Sequence, residues 1–238
     1  MRKGIFITGT DTGVGKTLIS AALASALRKQ GMNVGVMKPV ESGCSRVEGK
    51  LIPSDAIFLK EFSGSDDDID LINPYRLEHP LAPGTAAEME GVKIDLKKIE
   101  EAYDRMGKNH DLMLVEGAGG LLVPLGDALL IADLIKSLHI PALVIARSSL
   151  GTINHTLLTL RSAEASGIEV LGVIINHVTP HVGLAEETCA GSIKKFTSIP
   201  ILGVFPFVED TQKKNKEYLR DLAERCVNIN ILLKQVKK

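Results

Sequence analysis

The segment Gly9-Thr10-Asp11-Thr12-Gly13-Val14-Gly15-Lys16-Thr17 constrains this chain more than any other. It follows an apolar run at 5–8 and opens a helical pattern over 16–30 that Gly31 closes. A strand, a glycine loop and a helix start in that order make a phosphate cradle. Backbone N–H groups converge on an anion, the helix dipole favours negative charge, Lys16 reaches the β- and γ-phosphates, and the Thr17 hydroxyl serves Mg²⁺. The usual spacing has glycine six residues before the lysine; here Thr10 stands there and the glycine lies one residue earlier. A tight turn alone would explain the glycines, but not Gly-Lys-Thr at the first turn of a helix.

Further short apolar runs fall at 34–37, 112–115, 142–146, 170–175 and 201–204, and read as strands. Helical patterns lie between them, at about 54–62, 96–106, 129–138, 152–166 and 184–196, with another from about 215. Continuously apolar strands are buried on both faces, and helices of this length between strands make parallel crossovers. The expectation is an α/β fold: one P-loop NTPase-type domain over 1–238, with a doubly wound, mostly parallel sheet flanked by helices. At 238 residues and 45% apolar content the chain can bury its own core without disulfides or metals. Twenty-eight basic against 29 acidic residues argue against a dedicated nucleic-acid or membrane-surface binder. Three dispersed cysteines, an N-terminal apolar run too short for a signal and no stretch of about 20 apolar residues point to the cytoplasm. The segment 63–93, with three prolines and Asp66-Asp67-Asp68, reads as a long irregular loop whose acids form a solvated turn.

The chemistry-bearing residues cluster at strand ends. Glu116 ends an apolar strand where P-loop proteins hold or orient Mg²⁺. Asp55 is either a metal carboxylate or an ordinary helix-start charge. Lys38 ends the second strand in Lys38-Pro39-Val40-Glu41-Ser42-Gly43, at the carboxyl edge where open α/β sheets bind ligands; it is either a second phosphoryl-stabilising ammonium or a solvated strand-end lysine. Switch ATPases of the partitioning and septum-positioning type carry a signature lysine where Asp11 stands, so that reading is the alternative. His177 and His181 have helical metal spacing, but Pro180 between them speaks against a site. The other histidines read as surface or packing residues, the cysteines have no chemical role, and Lys234, Lys237 and Lys238 form a solvated basic end.

Taken together, these segments resemble the dethiobiotin synthetases. The residues that carry the resemblance are Thr8 through Thr17, Lys38 through Gly43, Asp55, Pro80-Leu81-Ala82-Pro83, Glu116-Gly117-Ala118-Gly119-Gly120, Leu150-Gly151-Thr152-Ile153-Asn154-His155-Thr156 and Asn176, over about residues 4 to 207. The displaced glycine of the phosphate loop is a feature of that family. The resemblance implies a Mg²⁺–ATP ligase of biotin biosynthesis that joins CO₂ to 7,8-diaminononanoate through a carbamate and a carbamic–phosphoric anhydride. It implies Lys16, Lys38, Thr12 and Ser42 at the reacting groups, and Thr17, Asp55 and Glu116 at the metal. Gly13, Val14, Gly15, Leu18, Gly117, Ala118 and Gly119 would surround the nucleotide, with Asn176, His177, Phe205, Pro206 and Phe207 near the base. It further implies a homodimer in which Leu150, Gly151 and Asn154 of one copy receive the substrate carboxylate of the other; the charge balance and hydropathy already argue against nucleic acid or membrane as partner. Gly13, Gly84 and His177 depart from the residues usual in the family.

Overall fold

The computed structural model describes residues 3–126 and 128–236. In chain order, β1 (Gly4–Gly9) leads through the phosphate loop into α1 (Lys16–Lys29). Next come β2 (Val34–Met37), the short β3 (Val40–Glu41) and the hairpin β4 (Ser45–Val47) and β5 (Lys50–Ile52), and then α2 (Ser54–Ser63). The segment 63–93 then supplies α3 (Ile69–Ile72), β6 (Tyr75–Arg76) and α4 (Pro83–Glu90), and α5 (Leu96–Gly107) precedes β7 (Leu112–Glu116). A small hairpin of β8 (Pro124–Gly126) and β9 (Leu129–Leu130) runs into α6 (Ile131–Leu138). The last third alternates regularly: β10 (Ala142–Arg147), α7 (Thr152–Ala165), β11 (Val170–Asn176), α8 (Leu184–Lys194), β12 (Ile201–Phe205), α9 (Lys216–Cys226) and α10 (Ile229–Val236).

The central sheet has the order β12-β11-β10-β1-β7-β2, every neighbouring pair parallel. All of β1, β2 and β7 is buried, as continuous apolar strands with helices on both faces must be. Chain order reverses at β1, so the loops after β1, β7 and β2 open onto one crevice at the carboxyl edge. The register sharpens this: Met37 lies beside Val115 and Ile7 beside Glu116, so Lys38 emerges level with Glu116.

Four sequence readings are corrected. The segment 63–93 is not irregular throughout. The Asp68 carboxylate accepts from Asp70 N–H to start α3, Pro83 opens α4, and left-handed Gly91 ends it. Leu129 and Leu130 are extended rather than helical, because the Asp133 carboxylate accepts from Leu130 N–H and fixes the helix start after them. The C-terminal helix is broken at Val227, which is extended and bridges Gly203. Within the acidic triplet, Asp67 is partly buried against His110, Oδ2 lying 2.6 Å from Nε2, so it packs rather than standing in solvent. Among the described residues there is no cluster of metal-ligating side chains and no helix long and apolar enough to cross a membrane. Of the basic C-terminal end, Lys237 and Lys238 lie outside the described residues, as do Met1 and Arg2 of the start.

Candidate active site

The phosphate loop is shaped by its glycines. Gly13 and Gly15 have φ of 73° and 91°, in the left-handed region, and a Cβ on Gly15 would overlap the Asn176 amide. Gly15 caps α1 with no side chain of its own, and the first turn carries no acid. The leading N–H groups of α1 are therefore free to meet an anion. Lys16 curls back over the loop, its Nζ donating to the Asp11 carbonyl at 3.1 Å. Burial and the neighbouring Lys38 lower its pKa to about 8, against the pull of Glu116, Asp55 and Asp11.

Beside it, Lys38 is 4% exposed and Glu116 1%. Lys38 Nζ lies 2.5 Å from Glu116 Oε1 and 2.9 Å from Asp55 Oδ2. The Thr17 hydroxyl donates to the same Glu116 Oε1 at 2.8 Å. Burial alone would depress the Lys38 ammonium, but the two carboxylates outweigh it and hold its pKa above the usual lysine range. The two lysines of this cavity are thus tuned in opposite directions.

Two cavities share the phosphate loop. One, of about 750 Å³, is walled by Thr12, Lys16, Lys38, Ser42, Asp55 and Glu116, together with Ala118 and Gly119. The other, of about 430 Å³, lies across Gly13, Gly15 and Thr17 and is lined by Leu18, Phe58, Asn176, His177 and Phe207. In it the Asn176 Nδ2 donates to the Val14 carbonyl at 2.9 Å, which fixes the amide and leaves Oδ1 as its acceptor. That Oδ1 is buried and has no partner. His177 is steadied by Ser148, whose Oγ lies 2.8 Å from Nδ1.

Some expected residues fall elsewhere. Phe205 is fully buried in the core, Gly117 packs where a Cβ would meet the Phe6 ring at 2.6 Å, and Val14 contributes its carbonyl rather than its side chain. Pro206 does not line the pocket, whereas Phe207 does. Leu150, Gly151 and Asn154 are exposed at the start of α7 and wall neither cavity. The sequence reading missed Phe58, Asp210, Lys213 and Lys214 at the smaller cavity, and assigned no role to Glu41 or to the Pro80–Pro83 wall of the larger one. Only the Lys213-Lys214 doublet carried a local signal. Gly84, one of the departures, has a steric reason: a Cβ there would come within 2.7 Å of the Gly126 nitrogen.

The donors present suit a hard divalent cation. Glu116 Oε2 is buried without a partner, and the Thr17 hydroxyl and Asp55 carboxylate face the same cavity, an all-oxygen set.

A family model described as an AAA domain matches residues 3–215. Among curated proteins, the ATP-dependent dethiobiotin synthetase BioD of Thermodesulfovibrio yellowstonii is 39% identical over 241 residues, covering 98% of this chain and 99% of that protein. The protein of the same name from Methanocaldococcus jannaschii is 43% identical over 221 residues, covering 91% and 100%. Its namesake from Bacillus subtilis strain 168 is 38% identical, covering 98% and 99%. Among solved structures, the MinD cell division protein of Aquifex aeolicus superposes with a TM-score of 0.55 at 18% identity, over 99% of this chain and 95% of that one. MinD of Pyrococcus horikoshii with Mg-ADP gives 0.55 at 16% identity, over 99% and 95%. The structural likenesses show the P-loop NTPase fold, and the near-full-length sequence identities show the family: this chain belongs to the ATP-dependent dethiobiotin synthetases.

Proposed function

We propose that the chain is a cytoplasmic, Mg²⁺–ATP-dependent ligase that carboxylates 7,8-diaminononanoate with CO₂ and closes it to dethiobiotin. The observation that carries this is the buried Lys38 ammonium, held between Glu116 and Asp55 one cavity wall away from the phosphate loop. No histidine or cysteine lines that cavity among the described residues, so its wall holds neither a Ser–His nor a Cys–His pair. A reaction whose substrate brings both nucleophiles needs neither.

One amine of the diamine adds to CO₂ and loses a proton, giving a carbamate. The carbamate oxygen attacks the γ-phosphorus and ADP leaves, forming a carbamic–phosphoric anhydride. The second amine then attacks the carbamoyl carbon, phosphate leaves, and the cyclic urea is closed. Lys16 and Lys38 stabilise the charge on the carbamate and on the transferring phosphoryl oxygens. Thr12 and Ser42 contact the diamine or its carbamate. Thr17, Asp55 and Glu116 hold Mg²⁺, directly or through water, and the ion when bound neutralises phosphate charge. In the smaller cavity the unpartnered Asn176 Oδ1 accepts from the 6-amino group of adenine, with Leu18, His177 and Phe207 against the base. Leu150, Gly151 and Asn154 are exposed and reach a substrate only from a second copy, in keeping with a homodimer that binds the substrate carboxylate at the start of α7.

The switch-ATPase reading shares the fold but not the signature: in place of a lysine, Asp11 accepts from Thr12 N–H at 2.7 Å and lies 3.5 Å from Arg147 at the end of β10. The deciding experiment is phosphate release from Mg²⁺–ATP with 7,8-diaminononanoate and bicarbonate, with the product weighed by mass spectrometry. Phosphate coupled to a cyclic urea is expected; ATP hydrolysis indifferent to the diamine would overturn the proposal in favour of the switch.

A further inference from the structure

Helix α2 begins without a cap of its own. Its N-cap position is Pro53, which offers no side-chain acceptor, and the first turn needs partners for its free N–H groups. The partner comes from thirteen to fifteen residues upstream. Glu41, at the end of β3, sends its carboxylate to the start of α2: Oε1 accepts from Asp55 N–H at 2.9 Å and from the Ser54 hydroxyl at 3.3 Å, and Oε2 accepts from Ala56 N–H at 3.0 Å. Glu41 is 4% exposed. Its own backbone is held by β6, with Tyr75 and Arg76 in parallel register and Leu77 N–H donating to the Glu41 carbonyl at 2.8 Å.

A buried carboxylate this close to the Asp55 carboxylate is a poor choice for stability alone. Burial raises its pKa, the backbone N–H groups of Asp55 and Ala56 pull the other way, and the Asp55 charge adds to the rise. A serine or threonine at position 53 would cap the helix locally and at no such cost. The remote carboxylate does something a local cap cannot. It fixes the Asp55 backbone to the strand segment that carries Lys38, three residues before Glu41, and so sets the 2.9 Å distance from the Asp55 carboxylate to Lys38.

We propose that Glu41 is a positioning residue: by capping α2 across the cavity it holds the Asp55 carboxylate in place for the bound divalent cation and for Lys38. The inference rests on the metal role proposed above for Asp55. Its test is made on the full chain with Mn²⁺ as probe, titrated with ADP present and followed by the paramagnetic signal of free Mn²⁺, so that it does not depend on turnover. E41Q retains the side chain's shape and one acceptor oxygen but turns an NH₂ group toward the helix N–H groups; E41A removes both acceptors. Both are expected to weaken Mn²⁺·ADP binding by about 10–100-fold, the range for residues that orient metal ligands. Metal-free ADP binding should stay within about twofold, and E41Q should cost nothing further in a D55N background.

Wild-type Mn²⁺ affinity in the Glu41 variants would overturn the proposal, and so would losses that multiply with D55N. An equal fall in metal-free ADP binding would make the effect generally structural and would also overturn it. If E41A does not fold, E41Q alone decides. D55N that binds Mn²⁺·ADP like the wild type would sink the inference while leaving the ligase reaction untouched. Conversely, failure of the diamine assay beside a coupled E41Q/D55N cycle would sink only the reaction.

Discussion

The two cavities that meet at the phosphate loop solve different physical problems. The smaller is lined by Leu18, Phe58 and Phe207, with one fixed acceptor, Asn176 Oδ1, whose geometry is set by the Val14 carbonyl. It offers shape and a single buried acceptor. The larger concentrates two ammonium groups and three carboxylates, those of Glu41, Asp55 and Glu116, several of them nearly inaccessible to water. Charge there is costly to bury: Lys38 is paired with Glu116 and Asp55, whereas Lys16 bonds a backbone carbonyl and Glu41 the start of α2. The proposed function therefore places base binding and phosphoryl stabilisation on separate walls. Substitutions should separate binding from turnover according to which wall they touch.

The strongest test of that separation is Lys38→Gln. Removing the ammonium that bridges Glu116 and Asp55 takes charge stabilisation from the reaction and leaves Glu116 buried without its cationic partner. Turnover is expected to fall by about 10³-fold or more, while ATP binding, carried by the loop and the base pocket, changes by less than about fivefold. The lost buried pair should also cost on the order of 3–5 kcal/mol of stability, read from urea unfolding. Steady-state kinetics beside equilibrium ATP binding distinguish the outcomes; a parallel loss of both would erase the division between the walls.

Asn176→Ala tests the other wall. It deletes the acceptor proposed for the adenine amine and the bond to Val14, an effect of about 1–3 kcal/mol. The KM for ATP should rise by roughly 5–150-fold with kcat nearly kept, and discrimination against GTP should shrink, since guanine presents an oxygen where adenine presents the amine. Unchanged selectivity between the two nucleotides would remove Asn176 from base recognition.

What could be read in advance follows the same physics. The phosphate loop and Glu116 stood out because each is a local pattern, a glycine loop between a strand and a helix or a carboxylate closing an apolar strand; Lys38 was located at its strand end, with its role left open. Sheet register then placed Lys38 level with Glu116, and strand ends alone already pointed to that edge. Asp55 stayed ambiguous because its environment is made by Glu41, thirteen to fifteen residues from the groups it binds at the start of α2, and no local rule foretells a cap from that distance. Phe58 was hidden because an aromatic residue on an amphipathic helix looks like core. The 63–93 segment was misread because α3 and α4 are too short for periodicity to reveal; their signals were the Asp68 cap and Pro83. Phe205 marks the opposite error: it is the last residue of β12 and stays in the core, whereas Phe207, two residues past the strand end, lines the smaller cavity.

The finest distinction lies within the larger cavity, between its two lysines. In the chain without metal or nucleotide, burial lowers Lys16 from 10.5 to about 8, whereas Lys38 is held above the ordinary range. Between pH 8 and 10.5 the unfolded chain therefore binds more protons at Lys16 than the folded chain does, and by linkage the Lys16 contribution to stability rises with pH across that window. Below pH 8 both states carry the charge and the folded protein bears its burial cost in full; above 10.5 neither does. Cys44, whose thiol is pushed up by burial to about 11 from 9.0, acts in the opposite sense over the upper part of the range, so the absolute curve does not isolate the lysine. The difference between wild type and Lys16→Met does. The shift bounds it at about 3 kcal/mol, and water in the open cavity should reduce it to on the order of 1 kcal/mol. Chemical unfolding at pH 7.5, 9 and 10.5 should show the wild type gaining on the variant as pH rises. Saturating ADP should flatten that gain, because phosphate beside Lys16 favours the ammonium and restores its pKa. A difference curve that is flat without ADP would mean that the buried Lys16 charge is already compensated within its own loop, and the contrast between the two lysines would then vanish.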